Sequence, residues 1–151
     1  MNDFKVVVMG KEEAIKKIRA IKTAVSTGLV VSVRAGGLVV EKYAKDKVPR
    51  WTGNLSRSIH VEIVEVTPIF AAAIIGTDVE YAAQVEFGGT IKAKNAPYLV
   101  FKTRDGQWHK VKSVTQVPQP YLRPALDEHI EEVVAAMSET FKKLIEAAAN
   151  I

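Results

Sequence analysis

Three histidines, His60, His109 and His129, are the first candidates for chemistry in this 151-residue chain. An imidazole titrates near neutrality and ligates metals well. These three fall on different elements, and no two have the spacing of a ligand pair, so solvated strand and helix positions account for them. There is no cysteine, which excludes disulfides, thiolate chemistry and cysteine-based metal sites. The acid pairs Glu12-Glu13, Asp127-Glu128 and Glu131-Glu132 read as helix starts and a solvated face. Gly36-Gly37 lacks the lysine and hydroxyl that a phosphate loop requires. No nucleophile elbow, Walker loop or dinucleotide fingerprint occurs. The expectation is a protein that is not an enzyme, with no catalytic, cofactor-binding or metal-binding residue.

The sharper signal is charge. The net charge of +4 is modest, but residues 90–123 carry Lys92, Lys94, Lys102, Arg104, Lys110, Lys112 and Arg123 against the single acid Asp105. Any anionic partner should meet that segment. Tyr98, Phe101 and Trp108 interleave with the lysines, a pattern suited to a nucleic acid backbone. A lysine-edged hairpin guarded against aggregation has the same composition.

The length suits one domain, 1–151, with 90–123 as a basic hairpin extension within it. The N-terminus is too short and too acidic for a signal peptide. No uninterrupted apolar run approaches the ~20 residues that span a bilayer, so no membrane partner is expected. Phe4–Met9 reads as a short strand. Residues 11–47 start at helical spacing but then mix glycine with valine, and propensity leaves them undecided. Val48-Pro49 ends that element. Thr52-Gly53-Asn54 reads as a turn, with Gly53 supplying the backbone angle and Thr52 or Asn54 capping local amides. Leu55–Val66 then carries a strand, and Ile69–Gly76 a second one so apolar that burial on both faces is expected. Tyr81–Phe87 forms a short helical turn that ends at Gly88-Gly89. Tyr98–Thr103 and Trp108–Val114 pair about Asp105-Gly106. Pro124–Ala149 forms a long helix with one apolar stripe through Ile130, Val133, Met137, Phe141 and Leu144. The fold class is α+β: a long N-terminal helix, a small antiparallel sheet of about four strands, and a long C-terminal helix packed on it.

Three segments occur in a fixed order: Trp51-Thr52-Gly53-Asn54-Leu55-Ser56-Arg57-Ser58-Ile59, then Gly76-Thr77 through Tyr81-Ala82 to Val85-Glu86-Phe87-Gly88, then Pro120-Tyr121-Leu122-Arg123-Pro124-Ala125-Leu126. Together they resemble a family of virion proteins of long-tailed double-stranded-DNA bacteriophages, described as neck, minor tail or tail-completion (head–tail joining) components. The resemblance implies one long helix over 11–47, where Gly28, Ala35, Gly36 and Gly37 would let another backbone approach. It implies a structural protein that forms a ring at the head–tail junction and helps join or complete the tail. The expected partners are further copies of itself, six or twelve to a ring, adjacent head-completion and tail-tube or tail-terminator proteins, and phage DNA in the lumen. The expected location is the virion, assembled in the bacterial host cytoplasm. Subunit or partner contacts are expected at Trp51, Thr52, Gly53, Leu55, Ser58, Tyr81, Glu86 and Phe87. DNA or lumen contacts are expected at Lys92, Lys94, Lys102, Arg104, Lys110 and Lys112. The alternative from another class is a DNA-binding or regulatory protein that uses the basic hairpin 90–123.

Overall fold

A computed structural model describes residues 10–50, 52–103 and 105–150. The expected strand Phe4–Met9, the contact residue Trp51 and the lumen residue Arg104 lie outside the described residues. The elements run α1 (Lys11–Lys47), α2 (Asn54–Ser58), β1 (His60–Thr67), β2 (Phe70–Gly76), α3 (Ala82–Phe87), β3 (Gly89–Lys92), β4 (Leu99–Lys102), β5 (Trp108–Val111), β6 (Ser113–Gln116), α4 (Leu122–Asp127) and α5 (Ile130–Ala149). The fold is α+β, with long helices near both ends and short antiparallel pairings between them.

The chain divides into two compact units. One takes the chain up to Val39, Val61–Ile74 and the chain from His129 onward; the other takes Val40–His60 and Ile75–Glu128.

In the first unit, packing overrides the strand preference of the valines in α1. A Cβ added at Gly28 would stand 3.1 Å from the Phe141 ring, and one at Gly36 would stand 2.6 Å from Met137 Cγ. A Cβ at Gly37 would stand 2.7 Å from Val61 Cγ1. The glycines are therefore where α5 and β1 come closest to α1. Close packing recovers what glycine costs in helix propensity, about 1 kcal/mol each. Ser32 is buried on the same helix and returns its hydroxyl to Leu29 O at 3.0 Å. The stretch is also apolar enough, and long enough, to cross a membrane by length and composition alone. That corrects the expectation drawn from uninterrupted runs, because glycine, serine and threonine barely lower the average. A helix packed in a soluble core meets the same criterion.

β1 and β2 form a two-stranded sheet joined by Pro68-Ile69. The expected two-sided burial of 69–76 does not occur. Phe70 and Ile74 are exposed, and Ile69 at the tip is 86% exposed. The side of this pair that carries Phe70 and Ile74 is left uncovered among the described residues.

In the second unit, Val40, Ala44 and Val48 continue α1 as a stripe at four-residue steps and are all buried. Leu55 and Ile59 are buried too, again four apart. Local bonding makes Asn54–Ser58 helical, so the strand begins at His60 rather than at Leu55. Arg57 N–H donates to Gly53 O at 3.1 Å, and the Ser58 hydroxyl donates to Leu55 O at 2.8 Å.

Among the described residues the strands make three two-stranded sheets, β1–β2, β3–β6 and β4–β5, instead of one sheet of four. Pro97 explains the division. The β4–β5 register pairs Leu99 with Val111, which would place Pro97 opposite Ser113. Proline has no N–H for the ladder, so the returning strand changes partner and Ser113 pairs with Lys92 of β3. Part of the long basic connection after Gly88 is thereby a strand. The single helix expected from Pro124 is likewise two, α4 and α5, divided at Glu128-His129. The break falls at the boundary between the two units.

Candidate functional site

Every described residue of the three ordered segments lies in the second unit, and hydrogen bonds tie the segments together. The first segment is shaped by Gly53, whose φ of 74° suits glycine and caps α2. The Thr52 hydroxyl accepts from Asn54 N–H at 3.3 Å, a small side-chain turn. The Ser58 and Thr77 hydroxyls lie 2.6 Å apart, and Thr77 also accepts from Val79 N–H. That pair joins the first segment to the second.

Glu86 joins the second segment to the third. Its carboxylate is 6% exposed and accepts three backbone N–H bonds, from Tyr121 at 2.7 Å, Leu122 at 3.0 Å and Arg123 at 3.1 Å. These are the free donors at the start of α4, whose own residues provide no side-chain cap. Burial alone would raise the Glu86 pKa. The backbone donors and the Arg123 guanidinium outweigh it and hold the group below its ordinary 4.5. Gln119 N–H donates to Val85 O at 2.8 Å beside it. Gly88, with φ of 67°, ends α3 so tightly that a Cβ would stand 2.7 Å from Gln116 O.

Tyr121 fills the centre of this arrangement and is fully buried. Burial, and then the nearby Glu86 and Tyr81, push its phenol above the ordinary 10.0. Among the described residues its hydroxyl has no hydrogen-bond partner. Sequence reading placed Tyr121 in the recognised segment without giving it a role; its position one residue before a helix start was the available signal. Thr77 and Gln119 were also missed, because hydrogen bonds across sequence distance leave no periodic trace.

The candidate contact residues divide by exposure. Leu55 and Glu86 are buried, and Gly53 and Ser58 are half-buried, while Thr52, Tyr81 and Phe87 are exposed. An open groove of about 890 Å3 runs between the α2 turn and β6, lined by Thr52, Asn54, Tyr81, Val85, Thr115 and Gln119. Of the basic candidates, Lys92, Lys94, Lys102, Lys110 and Lys112 are all exposed. They do not form one cluster by sheet. Lys92 lies on β3, whereas Lys102 and Lys110 lie on the β4–β5 hairpin. Lys110 rests its ammonium 4.5 Å from the Tyr98 ring centre, and Phe101 stacks on His109 at 5.6 Å.

A family model described as "Bacteriophage HK97-gp10, putative tail-component" matches residues 12–88. That span runs from α1 to the glycine that closes α3 and exceeds half of the 151 residues. The chain belongs to this family. Its role is accordingly that of a phage tail component, in the virion and among other virion proteins. No curated protein and no solved structure gives a significant match. Glu86 falls inside the matched span of the tail-component family, whereas the helix that it caps lies beyond it.

Proposed function

We propose that this tail component forms a homo-oligomeric ring at the head–tail junction and helps join or complete the tail. Family membership is the observation that supports a tail role. The first unit supports assembly in particular. Ile18 of α1, Val66, Ile69 and Phe70 of the hairpin, and Val134 of α5 are all exposed. Apolar exposure of that extent in a small unit marks a surface that another protein covers. The mechanism is geometric: a head-to-tail contact repeated by rotation closes on itself. Thr52, Tyr81 and Phe87 are proposed contacts, with Gly53, Leu55, Ser58 and Glu86 holding them in place. The chain then acts as one domain within the ring, with adjacent head-completion and tail-tube or tail-terminator proteins as its other neighbours.

The test is a phage carrying a nonsense mutation in this chain, examined by electron microscopy. Filled heads and separate tails, joined again when the chain is supplied, are expected. Normally joined particles in its absence would refute the assignment.

A further inference from the structure

Two exposed faces of this chain complement one another. The first belongs to the β1–β2 hairpin. Along β1 the half-buried Val61 and Ile63 alternate with the exposed Glu62, Val64 and Val66. Val61 is the residue that meets Gly37 of α1, so the Glu62–Val64–Val66 side looks outward. The second belongs to the β4–β5 hairpin. Its register pairs Val100 with Lys110 and Lys102 with Trp108, which puts these four on one side of the ribbon. All four are exposed, Trp108 by 71%.

Both faces are apolar patches carrying charge, and the charges are opposite. Residues 58–91 contain five acids and no lysine or arginine, whereas residues 92–123 contain seven lysines and arginines and one acid. Among the described residues, none of Glu62, Lys102 and Lys110 takes an ion-pair partner within its own chain. An isolated two-stranded ribbon is marginal unless another surface covers it. A second copy of this chain supplies, for each face, a ribbon of similar width with the opposite charge. Duplex DNA would satisfy the lysines but offers no apolar surface to cover Val100 and Trp108.

We propose that the Glu62–Val64–Val66 face of one copy seats on the Val100–Trp108 face of the next. This rests on the ring reading and specifies its interface: different patches meet, so the contact is heterologous and repeats from subunit to subunit. Trp108 is the anchor, as large aromatic residues are at interfaces generally.

Two variants test it, each altering exposed side chains only. In one, Glu62→Lys and Val64→Lys block the first face; in the other, Trp108→Glu and Lys110→Glu block the second. Circular dichroism checks that each folds as the wild type does, and sedimentation velocity follows association. Each variant alone is expected to associate at least about tenfold more weakly than wild type. An equimolar mixture is expected to form a one-to-one dimer that grows no further, because each partner contributes one intact face. The milder Val64→Ser and Trp108→Ser changes should weaken association in the same direction. If the variants assemble like the wild type, the interface lies elsewhere: the inference fails and the ring reading stands. If the wild type stays monomeric at every concentration, both fail for the isolated chain. If the Trp108/Lys110 variant keeps self-association but loses binding to a 40-base-pair duplex, the hairpin is a DNA surface and the inference is overturned.

Discussion

Glu86 shows how a residue that reads as a contact can instead hold the scaffold. Its carboxylate replaces a missing cap at α4 and fixes the third segment against the second. Changing it to glutamine removes the charge and turns one acceptor into a donor facing backbone N–H groups. Glu86→Gln should therefore destabilise the protein by about 2–4 kcal/mol in chemical denaturation. The pH dependence has a definite sign. A folded pKa below the ordinary 4.5 means that the stabilisation is complete above 4.5 and is lost as pH falls through the lower folded value. Glu86→Gln should flatten that acid limb, and an unchanged limb would show that another carboxylate sets it. Tyr121 tests the opposite case. Its buried hydroxyl has no partner among the described residues, so Tyr121→Phe should be neutral or stabilising, by up to about 1 kcal/mol. A loss above 1 kcal/mol would mean that the hydroxyl is bonded after all.

At the scale of elements, α1 depends on which glycine is replaced. Alanine gains about 1 kcal/mol of helix propensity at any interior position. At Gly37 the new methyl meets Val61, a stiff β-branched residue held in a strand, and overpacking of about 1–3 kcal/mol outweighs that gain; a net loss of about 1 kcal/mol lowers the thermal midpoint by about 2–4 °C. At Gly36 it meets Cγ and Sδ of Met137, a flexible side chain that can turn aside, and stands 3.2 Å from Val133 Cγ1, so the change should cost less than at Gly37. Equal effects at both positions would contradict the packing described. These contacts also mark the limit of what the sequence discloses. The C-terminal periodicity, the Asp105-Gly106 turn and the α3 turn ending at Gly88 were legible because each follows from local spacing. The long helix was not legible from propensity, since its valines and glycines are reconciled only by α5 and β1. The ribbon pattern escaped because the partner change at Ser113 depends on Pro97, sixteen residues earlier in the chain, lying opposite it. In the candidate site, the segments and their order could be read, but the division into buried and exposed residues follows only from the tertiary packing.

For the whole molecule, both units leave apolar side chains uncovered, Ile69 and Phe70 in the first and Val100 and Trp108 in the second, and the second is built around Tyr121 and the cap at Glu86. On the proposed ring reading, that uncovered surface is buried on assembly. Association should then bury mainly apolar area and tolerate moderate salt, unlike binding to a DNA backbone, which weakens steeply as salt rises. A salt titration of self-association by light scattering separates the two, with loss of all association below about 200 mM salt counting against an apolar interface. Native mass spectrometry of the purified chain across a concentration series tests the central claim most directly. The expected result is one closed oligomer of six or twelve copies that grows at the expense of the monomer. A monomer at every concentration, or an open ladder of sizes with no closed species, would contradict it.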